Sequence, residues 1–166
     1  MATEANKITK TVGELDLIVE REFNAPRELV WKAVTEPEHL SRWWAPGGYT
    51  IPVCRIDLQP GGKWHYSMRS PEGDEHWVLS VYREVVKPER LVYTSLFADE
   101  HANANDAIPE QLNTMKLFAQ DDGKTRMTVQ VHFERAEDLK WTVEAGMAEG
   151  MANAFEKLDR VLEELQ

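Results

Sequence analysis

The sequence predicts an α+β fold in which a curved antiparallel sheet of about seven strands wraps one long C-terminal helix. Three observations predict it. Over residues 138–165, Met147, Met151, Ala154, Phe155, Leu158, Val161, Leu162 and Leu165 fall in roughly a third of a helical wheel, with Glu149, Asn153, Glu156, Lys157, Arg160, Glu163 and Glu164 opposite. Upstream, most segments alternate at the two-residue period of a strand. Clusters of Gly, Pro and Asp separate these segments, so neighbours pair as hairpins in a meander. A single helix against so many strands forces the sheet to curl, which leaves space between the two.

Residues 15–23 alternate: Leu15, Leu17, Val19, Arg21 and Phe23 share one face, and Asp16, Ile18, Glu20 and Glu22 the other. Arg21 on the apolar face requires an acid or a carbonyl, because an unpaired buried charge is too costly. A structural salt bridge is the expected partner, with a ligand contact as the alternative. Asn24-Ala25-Pro26 opens a helix, with Asn24 or Ala25 as cap and Pro26 where its missing N–H is harmless. Leu29, Val30, Ala33 and Val34 form its buried side. Pro37 interrupts it, and Thr35-Glu36-Pro37-Glu38 has the form of a capping box that starts a second short helix carrying Leu40, Trp43 and Trp44. That helix stops at Ala45-Pro46-Gly47-Gly48. Strands are then expected over 49–58, 63–69, 75–86, 91–97, 112–120 and 124–134, with turns at Pro60-Gly61-Gly62, Ser70-Pro71-Glu72-Gly73-Asp74, Pro88-Glu89 and Asp121-Asp122-Gly123. Residues 98–111 hold few apolar side chains and are expected to form a mobile loop. Residues 1–14 are expected to be a flexible segment ahead of a single domain over 15–166.

Composition narrows the function. A chain of 166 residues suits one domain. No apolar run approaches the roughly 20 residues that cross a bilayer, and residues 1–11 lack an apolar signal core, so membrane insertion is not expected. A formal charge of −10 without a basic stripe argues against nucleic acid. The single Cys54 cannot form an internal disulfide, which fits a cytoplasmic location, and it reads as a small buried hydrophobe. His39, His65, His76, His101 and His132 are scattered, with no pair four apart on a helix, so no metal site is expected. His65 and His132 are expected to face water. There is no Gly-x-Ser-x-Gly elbow, phosphate loop or dinucleotide fingerprint, so no catalytic residue and no cofactor are assigned.

The alternation points Trp64, Tyr66, Met68, Trp77, Tyr93, Phe97, Met127 and Val129 inward as cavity wall, roofed by Met147, Met151 and Phe155. Glu144 falls on the apolar arc near the helix start. With the hydroxyls of Tyr66 and Tyr93 it would form a polar group that orients a ligand head or acts as acid and base on a ketone. Solid core packing is the alternative for each of these residues taken singly.

Four stretches resemble a known family. Phe23-Asn24-Ala25-Pro26-Arg27-Glu28-Leu29-Val30-Trp31 is similar to its first helix, and Glu36-Pro37-Glu38-His39-Leu40-Ser41-Arg42-Trp43-Trp44 to its second. Asp57-Leu58-Gln59-Pro60-Gly61-Gly62-Lys63-Trp64 and Pro88-Glu89-Arg90-Leu91-Val92-Tyr93-Thr94 resemble its two strand–turn signatures. These are the bacterial proteins similar to the C-terminal domain of heat-shock-protein-90 ATPase activators, within the START-like (SRPBCC, birch-pollen-allergen-like) superfamily. The resemblance runs over residues 15–162 and implies a helix-grip fold with a central hydrophobic cavity. It carries over no catalytic residue. Two departures stand out. Gly150-Met151 occupies the place of the family's common Gly-Trp, and Ser95 stands where an aromatic often follows Tyr-Thr. Both put something smaller or softer in place of a ring, which implies a roomier cavity with Ser95 and Met151 on its lining.

The resulting expectation is a cytoplasmic binding module, monomer or weak dimer, that encloses a small hydrophobic or aromatic molecule. The alternatives are a polyketide cyclase/aromatase-like enzyme, which needs polar groups converging in the cavity, and a chaperone-interacting or other protein-binding domain, which needs an exposed apolar patch.

Overall fold

The strand-forming segments close into one antiparallel sheet of eight strands in the computed structural model, which describes residues 8–45, 47–105 and 110–166. The chain begins with β1 (Thr9–Val12) and β2 (Asp16–Phe23), then makes α1 (Arg27–Thr35) and α2 (Pro37–Leu40). It crosses to the far edge as β3 (Cys54–Ile56) and returns strand by strand as β4 (Lys63–Arg69), β5 (Glu75–Val86), β6 (Arg90–Ala98), β7 (Gln111–Ala119) and β8 (Thr125–His132). The order across the sheet is β1-β2-β8-β7-β6-β5-β4-β3. α3 (Ala136–Glu144) and α4 (Met147–Leu165) follow.

One face of the curved sheet receives the last helix. Leu17, Val19, Arg21 and Phe23 of β2 and Met127, Val129 and Val131 of β8 are buried there, as the period-two pattern requires. α4 lays Ala154, Phe155, Leu158, Val161 and Leu162 against them, and Phe155 meets Phe23 edge-on at 5.4 Å. Arg21 finds both expected partners on this helix. It donates to the Phe155 carbonyl at 3.0 Å and to the two carboxylate oxygens of Asp159 at 3.0 and 2.5 Å. The short helices are tied in by single donors: Trp43 Nε1 to the Ala33 carbonyl and Lys157 Nζ to the Ala45 carbonyl, both at 2.9 Å.

Several expectations are corrected. The terminal helix is two helices, because Gly146 adopts φ +89°, a left-handed conformation that ends α3 and caps α4. Thr9–Val12, within the segment expected to be flexible, pairs with β2; its four residues are exposed, so no apolar alternation announced it. The strand expected over 49–58 is reduced to β3 and a bridge between Thr50 and Arg69. Pro26 itself takes the cap position of α1, and its carbonyl accepts from Leu29 and Val30. Thr35 caps nothing: its hydroxyl donates to the Trp31 carbonyl at 2.7 Å, and Glu36 precedes α2 without a side-chain cap. His65 is buried, stacked on Trp77 at 4.8 Å with its Nε2 2.9 Å from the Asp99 carbonyl, whereas His132 is half exposed beside Asp16. The Asp99 carboxylate caps its own turn by accepting from the backbone N–H groups of His101 and Asn103, so the loop expected over 98–111 begins as an ordered turn. Residues 106–109 of that loop, and residues 1–7, lie outside the described residues.

The Pro60-Gly61-Gly62 turn does what its composition requires. Gly61 has φ +84°, and a Cβ on Gly62 would lie 2.0 Å from the Asp57 carbonyl oxygen, so only glycine lets the backbone pass.

Candidate functional site

Between the sheet and the α3–α4 corner lies a cavity of about 420 Å3. The sheet contributes Tyr66 and Met68 from β4, Val78 from β5, Tyr93, Ser95 and Phe97 from β6, Asn113 from β7 and Val129 from β8. These are residues of one face, two apart along each strand. The helices contribute Thr142, Met147, Met151, Ala154 and Phe155, and the segment after α2 adds Trp43 and Trp44. The backbone reversal at Gly146 forms part of the same wall.

Of the residues expected in the cavity, Tyr66, Met68, Tyr93, Ser95, Phe97, Val129, Met147, Met151 and Phe155 line it. Four do not. Trp64 is buried one layer behind, stacked on Tyr66 at 4.8 Å. Met127 is buried in the core, across the strand pair from Arg21. Trp77 lies on the opposite face of the sheet, against His65. Glu144 is exposed at the end of α3, because the break at Gly146 shifts the phase of the wheel that placed it inward. The polar group imagined around that carboxylate therefore does not form. Trp43, Trp44, Gln111, Asn113, Trp141 and Thr142 were not foreseen. Asn113 had a signal, since it stands two residues before Met115 and four before Leu117 on the inward face of its strand.

An aromatic cluster forms the floor. Trp44 Nε1 donates to the Tyr66 hydroxyl at 2.9 Å, and Trp64 packs against Trp44, Tyr66, Tyr82 and Tyr93 at centroid distances of 4.9, 4.8, 6.5 and 5.6 Å. Burial pushes the phenols of Tyr66, Tyr82 and Tyr93 well above the usual tyrosine range. At Tyr66 the hydrogen bond from Trp44 opposes the shift and Cys54 adds to it, while Cys54 and Tyr66 add to it at Tyr82, and Tyr66 and Tyr82 at Tyr93. Burial likewise pushes the Cys54 thiol up to about 11, which makes it an inert packing group. A polar strip crosses three strands beside this floor. Asn113 Nδ2 donates to Ser95 Oγ at 3.2 Å, and Ser95 Oγ lies 2.9 Å from Ser80 Oγ. Among the described residues, Glu36, Glu38 and His39 bring potential metal-ligand atoms within 4.8 Å of one another. They sit on the surface away from the cavity lining, and a His39–Glu36 pair at 3.4 Å accounts for the grouping.

Fold and cavity together define a helix-grip protein. The chain belongs to the family described as Activator of Hsp90 ATPase homolog 1-like protein, whose profile matches residues 24–163. The crystal structure of a Nitrosomonas europaea protein is similar, at 32% identity and a TM-score of 0.82 over 93% of this chain and 97% of that one. A solution structure of an Arthrobacter aurescens protein shares 32% identity with a TM-score of 0.85 over 96% and 92% of the two chains. A Mycobacterium smegmatis protein follows at 29% identity and a TM-score of 0.83 over 95% and 96%. No curated protein matches the chain.

Proposed function

We propose that the protein binds a small hydrophobic or aromatic molecule in the cavity beneath α4. One observation carries the reading. A space of about 420 Å3, within the range of about 300–1,000 Å3 typical of small-molecule sites, remains open inside an otherwise well-filled core. Ring faces from Trp44, Tyr66 and Phe155 and the soft side chains of Met68, Met147 and Met151 suit a flat apolar guest. The cyclase-type alternative has less support, since phenols are the titratable groups among the described lining residues and Glu144 points elsewhere. A protein partner is the second reading, and it draws on Trp141, which is 71% exposed at the cavity margin. The lone cysteine favours a cytoplasmic setting for either role.

Native mass spectrometry of the purified protein tests the first reading. A co-purifying mass of a few hundred daltons, released on denaturation, is the expected result. An apo spectrum together with no response from a fluorescent hydrophobic probe overturns it.

A further inference from the structure

Every described group that faces the cavity is electrically neutral. Among the described residues that line it there is no Asp, Glu, Lys, Arg or His. The polar groups present are therefore a means of reading a neutral head, and two of them are adjacent by register. Tyr93 and Asn113 face each other directly across the β6–β7 pair, so their side chains leave the same face of the sheet about 5 Å apart at Cβ. Both are almost completely buried, at 3% and 5% exposure. Asn113 spends its amide nitrogen on Ser95 Oγ at 3.2 Å and, weakly, on the Tyr93 carbonyl at 3.5 Å. Its carbonyl oxygen receives no donor among the described residues. The Tyr93 hydroxyl likewise has no hydrogen-bond partner among them, and burial keeps its proton in place. The protein's own described groups thus leave one donor and one acceptor unspent on the same wall, where both face the cavity.

Resting on the reading above that the cavity binds a small apolar molecule, we infer that its ligand is uncharged and carries one hydroxyl or amide head, which accepts from Tyr93 and donates to Asn113. Charged analogues are excluded by the same wall. A carboxylate or ammonium moved into a site without a countercharge loses its hydration with nothing to replace it. A hydroxyl both gives and takes a hydrogen bond, so it satisfies both wall groups at once.

Four probes of one shape test this by calorimetry or amide chemical-shift titration near neutral pH: naphthalene, naphthol, naphthoate and naphthylmethylammonium. Naphthol should bind roughly three- to tenfold tighter than naphthalene and at least about a hundredfold tighter than either charged probe. Tyr93→Phe and Asn113→Leu should each remove the preference of naphthol over naphthalene while leaving naphthalene binding in place. Tyr93→Phe keeps the ring and its packing, so it reads the hydroxyl alone even if Asn113→Leu misfolds. Naphthoate or the ammonium binding as well as naphthol overturns the exclusion of charge. Equal binding of naphthol and naphthalene, or a Tyr93→Phe protein that keeps the preference, overturns the headgroup assignment. If none of the four binds, the small-molecule reading itself falls, and this inference with it.

Discussion

Arg21 shows how a single residue can dictate where a helix lies. Its side chain is 3% exposed and holds Asp159 at 2.5 Å, so removing the acid would strip a buried guanidinium of its countercharge. Asp159→Ala should therefore cost toward the low end of about 3–5 kcal/mol in urea titration, since Asp159 is itself partly solvated. Replacing both partners with apolar residues should recover most of that loss. The buried phenols make a pH prediction. Unfolded tyrosines ionise near pH ~10, while burial keeps Tyr66, Tyr82 and Tyr93 protonated above that. The unfolded state then binds fewer protons than the folded one, so stability is intact below about pH 9 and falls as pH rises beyond it. Phenolate absorbance from these residues should appear together with alkaline unfolding; its appearance in a protein still folded by circular dichroism would contradict their burial. Much of this was legible beforehand. An inward arginine announces its acid, and alternation finds Tyr66, Tyr93 and Val129. Trp77 was misplaced because period two assigns a strand two faces without naming the inner one. His65 hid because a turn at Asp99, remote in sequence, covers it.

At the scale of elements, the wheel located the buried stripe of α4, because Phe155, Leu158, Val161 and Leu162 repeat over enough turns to define a face. It ran through Gly146 because one glycine does not disturb an apolar period, although it can end a helix. The two positions make opposite predictions. Leu158 is fully buried, and Leu158→Ala should cost ~2–5 kcal/mol. A loss below ~0.5 kcal/mol in urea titration, the range of ordinary surface substitutions, would place it on the surface. Gly146→Ala fits sterically, since the nearest atom to an added Cβ is Glu149 Oε2 at 3.8 Å. Its cost should thus be conformational alone, roughly 1–2 kcal/mol from the left-handed backbone. A neutral Gly146→Ala would mean that the corner relaxes into continuous helix.

For the whole molecule, the cavity is the quantity to perturb. Met151 lines it and is only half-buried, so Met151→Trp should add a ring to open space at a cost below about 1 kcal/mol, where a filled core would charge about 1–3. Affinity for a fluorescent hydrophobe should fall as that volume is taken up. A strongly lowered thermal midpoint, or unchanged probe binding, would show that the site has no usable room at Met151. The sheet order has a further consequence, which concerns time. β2 is synthesised well before its sheet neighbour β8, since Asp16 meets His132 across a separation of 116 residues and Arg21 meets Asp159 across 138. Contacts this distant close large loops before they return any stabilisation, which slows folding toward the millisecond-to-second regime of β-rich topologies. On a ribosome adding about 5–20 residues per second, β2 therefore waits several seconds for its partner, and the apolar wall of the sheet waits longer still for α4. During that interval the face that later walls the cavity lies open to the surrounding solution.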